Sequence, residues 1–138
     1  MTLEAFTDEW ALHCAEAIRN SASYRETASA WEGDLIFVMK RQPPAEDRAV
    51  FFSLWHGDCQ EARLASEADH LSARYVIEGS EASWSQALGG RLPPLLALMT
   101  GRMRLTRGSL GELAPYALAA RDLLAAVSGL GAVFPGES

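Results

Sequence analysis

The pattern of apolar and polar positions predicts helices at both ends of the chain. Residues 7–20 carry an apolar stripe at helical spacing, formed by Trp10, Cys14, Ala17 and Ile18. Thr7 is suited to the N-cap of this helix, because its hydroxyl can accept a hydrogen bond from the first turn. A second short helix is expected over residues 22–30. A C-terminal helix is predicted to begin at Ser109, with an apolar stripe through Leu113, Tyr116, Ala117, Ala120, Leu123, Leu124 and Val127.

Between these helices, the pattern predicts five strands, over residues 33–40, 49–55, 60–65, 72–78 and 102–107. The first two are apolar at nearly every position, which is typical of strands covered on both faces. The fourth alternates, with Ala73, Tyr75 and Ile77 on one side. Two short helices are expected over 81–88 and 95–100, and residues 67–70 are expected to form a loop or a single helical turn.

The length and composition favour a single domain over residues 1–138. We expect a helical N-terminal part over about 1–30, a core over about 31–128 and a short C-terminal tail. The hydrophobic content of 49% and charged content of 22% are ordinary for a globular protein. The formal net charge of -6 argues against a nucleic-acid partner, because phosphate contacts need a broad basic face.

No targeting or membrane-spanning segment is expected. The longest apolar runs, such as residues 35–39, are five residues long, whereas a spanning helix needs about 20. The first ten residues carry early acids and no basic segment, unlike a signal peptide. Cys14 and Cys59 are therefore expected to be reduced thiols in a cytoplasmic protein.

Residues 84–111 differ from the rest of this acidic chain. They contain four arginines, at positions 91, 102, 104 and 107, and no acidic residue. An apolar helix precedes a strand in which Arg and apolar residues alternate, which indicates an apolar wall with a cationic rim. Two interpretations of the rim stay open. Arg102, Arg104 and Arg107 form either a solvated outer face or a contact for an anionic headgroup or an anionic membrane surface.

The residues that could support catalysis are few. His56, Asp58, Cys59, Asp69 and His70 include metal-ligand types, but they lack the regular spacing of known metal sites. We interpret residues 56–58 as a hairpin turn, and a small hydrolase or metal enzyme using this turn as a remote alternative. The chain has no P-loop, no G-x-S-x-G and no G-x-G-x-x-G, so neither a catalytic residue nor a cofactor is predicted.

The order of elements resembles the SCP2 (sterol carrier protein 2) sterol-binding domain family. The matching pieces are a W-x-G at residues 31–33 before an apolar strand, the strand ending at Gly57, Y-V-I-x-G-S at residues 75–80, and Trp84 in the following helix. The most specific piece is A-L-M-T-G-R-M-R-L at residues 97–105. The likeness covers residues 25–128. One departure is that Gly108 comes seven residues beyond Gly101 instead of six, which leaves Arg107 extra and predicts a bulge at the strand end.

The resemblance implies an α+β fold, in which a twisted, mostly antiparallel five-stranded sheet is covered by helices with an apolar tunnel between them. It also implies non-catalytic binding, and transfer, of a lipid such as a fatty acid, acyl-CoA, phospholipid or sterol-like molecule. The residues expected to line the tunnel are Phe37, Phe52, Leu54, Tyr75, Ile77, Leu95, Leu96, Met99, Met103, Leu105, Leu118 and Leu124.

Each of these apolar residues could equally belong to a dry core. The alternative hypothesis is therefore an interaction or accessory module of the same fold, with its tunnel filled by side chains. Such a module would act through a partner protein or a homodimer surface. A lipid-like molecule, an anionic membrane surface and a second copy of the chain are the partners under consideration.

Overall fold

Five strands form one mixed sheet, in the order β3-β2-β1-β4-β5. The computed structural model describes residues 3–135, so positions 1–2 and 136–138 of the predicted domain lie outside the described residues. The β1–β4 pair is parallel and the other neighbouring pairs are antiparallel, which confirms the predicted mostly antiparallel α+β fold. The strands are β1 (Leu35–Lys40), β2 (Arg48–Trp55), β3 (Asp58–Leu64), β4 (Tyr75–Ser80) and β5 (Met103–Arg107).

The helices begin where side-chain caps are available. Thr7, Ser21, Ser66, Ser80 and Ser109 each accept a backbone hydrogen bond at the start of a helix. The helices are α1 (Asp8–Arg19), α2 (Ala22–Thr27), α3 (Glu67–Ser72), α4 (Glu81–Leu88), α5 (Pro94–Met99), α6 (Leu110–Leu113) and α7 (Ala117–Ser128).

The C-terminal helix differs from the prediction, because it is interrupted. A 3₁₀ turn at Ala114–Tyr116 separates α6 from α7, where one continuous helix was expected. Pro115 lies in this turn and has no backbone N–H to donate to an α-helical hydrogen bond. The predicted helix is therefore divided into a four-residue α6 and a twelve-residue α7.

The segment before β4 is more ordered than expected. Residues 67–72 form α3, which starts with a reciprocal cap between Ser66 and Asp69. The Asp69 carboxylate also contacts the Arg63 guanidinium of β3, and this contact lowers the pKa of Asp69 well below its ordinary value. Of the two predicted alternatives, a loop or a single helical turn, the helical one is therefore formed, and its cap and an ion pair stabilise it.

The sheet buries both of its faces, as the apolar β1 predicted. The main core lies between the sheet and the helices, and it contains Leu35, Phe37 and Met39 of β1. The opposite face carries a smaller cluster formed by Ile36, Val38, Phe51, Ala73 and Val76. No helix among the described residues is long and apolar enough to cross a membrane.

The predicted bulge is present on the last strand. In the β4–β5 pairing, Val76 lies opposite Arg107 and Ile77 lies opposite Leu105, so Thr106 is the residue without a partner in this register. The bulge therefore falls one residue earlier than predicted. The Thr106 hydroxyl donates to the Val76 carbonyl at 3.3 Å, which anchors the bulge to β4.

The β2–β3 hairpin turn supports α2. His56 and Gly57 both have positive φ, at 49° and 83°, as required for a two-residue type I′ turn. A Cβ atom on Gly57 would lie 2.5 Å from the Arg25 carbonyl oxygen of α2. The absence of a side chain at this position therefore lets α2 pack directly on the hairpin.

Replacing Gly57 by alanine is expected to destabilise the fold by about 3 kcal/mol, because it combines positive φ with a collision against backbone. Gly101→Ala is the matched control, since Gly101 has φ 77° and open space around its Cβ position. It should cost about 1 kcal/mol. Urea denaturation measures the free energy of unfolding of both variants. If both variants lose the same amount, the close approach of α2 to residue 57 does not exclude a side chain there.

Candidate functional site

An apolar cavity of about 80 Å³ lies between the sheet and the helices. All strands except β3 contribute to its floor, and α2, α4, α5, α6, α7 and the 3₁₀ turn contribute to its walls. The lining residues are Tyr24, Trp31, Leu35, Phe37, Leu54, Ile77, Trp84, Pro94, Leu95, Leu98, Met103, Leu113, Tyr116, Ala117, Ala119, Ala120, Leu123 and Leu124. None of these side chains is charged, so the cavity is suited to a hydrocarbon group.

The cavity exists because the side chains that the sheet and helix α7 direct towards each other differ in size. The sheet presents large residues such as Phe37 and Leu54, whereas α7 presents three alanines, at 117, 119 and 120. Small side chains on one wall leave a void that the facing residues do not fill. The cavity is therefore a consequence of sequence on α7 as much as on the sheet.

Most polar atoms of the cavity wall are bonded to the backbone. The indole N–H of Trp31 donates to the Gly33 carbonyl at 2.9 Å, and that of Trp84 donates to the Val38 carbonyl at 2.9 Å. The Tyr116 hydroxyl donates to the Ala30 carbonyl at 3.3 Å. These aromatic rings therefore present apolar surface to the cavity.

The wall formed by α5 is short and exposed. Helix α5 has six residues, no side-chain cap, and only Ala97 fully buried. It is bounded by Pro93 and by Gly101, whose φ is 77°. Pockets for drug-sized ligands enclose roughly 300–1,000 Å³, so a long-chain ligand needs a wider cavity than the one described. Displacement of α5 would widen it without breaking a strand.

The structure brings six of the twelve predicted tunnel residues together around the cavity: Phe37, Leu54, Ile77, Leu95, Met103 and Leu124. Phe52, Tyr75 and Leu105 pack in or against the main core instead. The other three, Leu96, Met99 and Leu118, do not line the cavity, and their side chains are 47%, 66% and 57% exposed. They lie on the outer sides of α5 and α7.

The three arginines of the predicted headgroup rim do not form a single site. Arg104 lies opposite Glu78 on the sheet face away from Met103 and the cavity. Arg107 is shifted by the bulge to that same face, where its guanidinium donates to the carbonyls of His70 and Ala73. Neither side chain lines the cavity, and both are exposed, as the solvated outer face of the two interpretations requires. Contact of these arginines with an anionic headgroup or membrane surface stays a prediction. Arg102 is exposed at the α5–β5 junction, and its role stays a prediction.

The candidate catalytic residues are separated. His56 is exposed in the hairpin turn and its Nε2 lies 2.5 Å from Glu32 Oε2. Cys59 is fully buried and donates from Sγ to the Glu61 carbonyl, and burial raises the pKa of its thiol to about 11. A neutral thiol facing the core is a poor nucleophile. No cluster of three or more His, Cys, Asp or Glu within residues 3–135 could hold a metal ion.

Several lining residues were not predicted as tunnel residues. Trp31 and Trp84 were recognised as parts of motifs, and Ala117 and Ala120 were assigned to a packing stripe, which did not include Ala119. Tyr24 is 2% exposed, and its place beside a cavity had no signal in the sequence. The available signal was the run of small residues on α7 opposite bulky strand residues.

A polar network holds α6 against β4 at one side of the cavity. The Glu112 carboxylate of α6 accepts hydrogen bonds from Ser109 at 3.0 Å and from the Tyr75 hydroxyl at 3.2 Å, and the Arg74 guanidinium lies at 3.3 Å. The hydrogen bond from Ser109, then that from Tyr75, and the nearby Arg74 lower the pKa of Glu112. Because Leu113 lines the cavity, this network positions part of its wall.

The structure is similar to solved structures that carry a common name. It matches a crystal structure of sterol carrier protein 2 with a TM-score of 0.82 and 39% identity, over 91% of this chain and 98% of that chain. It matches the solution structure of a conserved hypothetical protein from Thermus thermophilus, named as a candidate sterol carrier protein, with a TM-score of 0.84 and 38% identity, over 99% and 95% of the two chains.

A more distant match shows the fold alone. The apo form of sterol carrier protein 2 from Yarrowia lipolytica has a TM-score of 0.61 at 13% identity, over 93% of this chain and 98% of that chain. A scan against protein-family models found no match. A search of curated proteins also found none.

Glu112→Gln is expected to lower the thermal stability at pH 7, because the variant loses the charged hydrogen bonds to Tyr75 and Arg74. The pKa of Glu112 is lower in the folded protein than in the unfolded chain, where it is about 4.3. The stability that the Glu112 carboxylate contributes is therefore fully present above about pH 4.3 and is lost as the pH falls through the folded-state pKa. The Tm difference from wild type should therefore shrink between pH 7 and pH 3. Glu46→Gln, in the exposed β1–β2 turn, is the control; a pH-independent difference for Glu112→Gln would contradict the network.

Proposed function

The chain belongs to the sterol carrier protein 2 family, and from this we propose that it binds a lipid-like apolar ligand between its sheet and its helices. The observation that supports the proposal most strongly is the cavity, because its lining residues carry no charge. Fatty acids, acyl-CoAs, phospholipids and sterol-like molecules are the candidate ligand classes. We propose that the protein is a carrier rather than an enzyme, acting in the cytoplasm.

If the cavity widens, burial of a long acyl chain would release enough free energy for stable binding. Burying 16 methylene groups gains roughly 13 kcal/mol at about 0.8 kcal/mol per group. Association, ordering of the chain and displacement of α5 oppose a large part of this gain. Micromolar to nanomolar affinity is the expected range.

Transfer of the ligand would use the exposed apolar side chains beside the cavity. Leu96 and Met99 on α5 and Leu118 on α7 are exposed on helices that also supply the cavity wall. Exposed apolar side chains can enter the interface of a bilayer, and Arg102 can interact with anionic lipids. We propose that this surface contacts an anionic membrane transiently while lipid is exchanged.

A second candidate function follows from the size of the cavity. A volume of about 80 Å³ is smaller than typical ligand pockets, so the side chains already fill most of the space a lipid would need. In this case the protein is an interaction module. The exposed apolar residues of α5 and α7 would then contact a partner protein or a second copy of the chain.

Filling the cavity separates the two candidates. Ala120 lines the cavity, and Ala120→Leu adds three carbon atoms into it. We expect the variant to bind a fluorescent fatty acid at least about tenfold more weakly than wild type, since the ligand must displace the added side chain. Fluorescence titration measures this. Mass spectrometry of an organic extract of the purified protein identifies any lipid that co-purifies with wild type.

Ala125→Leu is the matched control for this experiment. Ala125 lies on the same helix, is exposed, and does not line the cavity, so its substitution should leave the affinity unchanged. Absence of both co-purified lipid and fatty-acid binding in wild type would favour the interaction module. Equal binding by wild type and Ala120→Leu would place the ligand outside this cavity.

The membrane contact is tested by the double variant Leu96→Ser, Met99→Ser. It should slow lipid transfer between vesicles containing phosphatidylserine by about tenfold, with little change in equilibrium fatty-acid affinity, because neither side chain lines the cavity. Leu12→Ser, Leu71→Ser is the control, since these residues are 67% and 80% exposed on α1 and α3. Similar transfer rates for the two double variants would exclude a specific contact through α5.

A further inference from the structure

We propose that the open edge of β5 is an interaction surface, which pairs with an extended acidic segment of another protein. The segment would add a further strand to the five-stranded sheet, with acidic side chains at alternate positions beside the arginines of β5. This function is separate from lipid binding, because none of these arginines lines the apolar cavity.

The two edges of the sheet differ in how they are covered. β3 forms one edge and β5 the other. Helix α1 packs on β3, and its side chains bind the β3 backbone. Asp8 accepts from the Leu64 N–H at 3.0 Å, and Arg19 donates to the carbonyls of Cys59 at 2.7 Å and Gln60 at 3.2 Å. These contacts close the β3 edge to a further strand.

The edge formed by β5 has no such cover. Within residues 3–135, the backbone of β5 is hydrogen-bonded only to β4. Its residues are exposed, except that Met103 is buried and Leu105 is half-buried. An edge strand leaves a row of N–H and C=O groups without partners, and an extended peptide can bind them. The β5 edge therefore has the capacity to pair with one more strand.

The charge of β5 defines the chemistry of the partner. The ion pairs found within residues 3–135 involve none of Arg102, Arg104 and Arg107. Even Glu78, which lies opposite Arg104 on β4, forms no ion pair with it. Opposite charges on neighbouring strands attract each other, so acidic residues suit the positions beside these arginines. The alternate positions would face the side of Met103 and suit apolar residues.

A second copy of the chain fits this edge less well. Pairing β5 with β5 of a copy would bring the arginines of both chains together on one face of the sheet, where like charges repel. The bulge at Thr106 also limits regular pairing between two such strands. Anionic lipid headgroups could contact the arginines, but they offer no regular row of N–H and C=O groups. An acidic extended segment satisfies both the backbone and the charges.

A synthetic peptide tests the surface. The probe is a fluorescein-labelled peptide of about seven residues, in which glutamate and valine alternate, since strands are commonly of this length. Fluorescence anisotropy measures its binding to the whole protein. We expect Arg104→Gln to bind the peptide about fivefold more weakly than wild type, through loss of one cross-strand charge pair. Circular dichroism verifies that the variant is folded.

Arg91→Gln is the matched control, because it removes the same charge from an exposed residue between α4 and α5, away from the sheet edge. It should bind the peptide as wild type does. Equal weakening by both substitutions would show attraction by net charge alone and would overturn the inference. The affinity of Arg104→Gln for a fluorescent fatty acid should equal that of wild type, since Arg104 does not line the cavity.

Two peptide analogues test whether main-chain pairing occurs. One is N-methylated at every glutamate and the other at every valine, and only one of these two sets of N–H groups can face β5. We expect one analogue to bind wild type at least about fivefold more weakly than the other, because it loses its hydrogen bonds to the strand. Equal affinities of the two analogues would overturn the inference.

The same variants separate the proposed partner from a membrane. If wild type does not bind the peptide, but Arg104→Gln binds phosphatidylserine vesicles more weakly than Arg91→Gln does, the edge contacts lipid and the inference is wrong. Failure of wild type to bind the peptide overturns the inference whether or not the cavity binds a fatty acid. Failure to bind a fatty acid concerns the proposed lipid function alone.

Discussion

The architecture depends on a buried hydrogen bond between an indole and the central strand. The Trp84 N–H of α4 donates to the Val38 carbonyl of β1 at 2.9 Å, and the Trp84 ring packs on Phe37 with centroids 4.6 Å apart. Gly79 of β4 makes this approach feasible, because a Cβ atom there would lie 3.1 Å from the Trp84 Nε1. One side chain thus satisfies its own polar atom and positions α4 over the parallel β1–β4 pair.

The cavity exists because the Trp84 indole sets the distance between the helices and the sheet. With Trp84 resting on Phe37, the helices over the sheet are held at a distance set by an aromatic ring. The alanines of α7 do not span this distance, and the cavity is the remaining space. Binding capacity therefore arises from ordinary packing residues, through a mismatch of sizes between two layers. The apolar lining results because the polar atoms of Trp31, Trp84 and Tyr116 are directed to backbone carbonyls.

Local signals in the sequence predicted the elements well and the site only in part. Caps such as Thr7 and Ser80 act within a few residues, so helix starts could be predicted from the sequence. The extra residue before Gly108 predicted a bulge, but its position at Thr106 depends on the pairing with Val76. The interruption at Pro115 could have been predicted, since proline cannot continue an α-helix without loss of a hydrogen bond.

The lining residues could not be predicted in the same way, because they depend on which side of each helix faces the sheet. Met99 and Leu95 belong to the same apolar helix, yet Leu95 lines the cavity and Met99 is 66% exposed. Arg107 fitted a cationic rim in sequence, but the bulge turns it towards the carbonyls of His70 and Ala73. A tertiary contact decided the role of each of these residues.

Helix α5, which forms part of the cavity wall, is the bordering helix best suited to move. Among the helices that border it, α2, α4 and α6 start with a side-chain cap, whereas α5 and α7 have none. Helix α5 has six residues, only one of them buried, whereas α7 has twelve residues, five of them buried. Few buried contacts and exposed ends are properties of segments that open at low cost in free energy. Since α5 lies between Pro93 and Gly101 at the β5 edge, its displacement leaves the β1–β4 pair and Trp84 in place. Displacement of α5 is therefore the change by which this fold would enlarge the cavity most easily while the sheet stays intact.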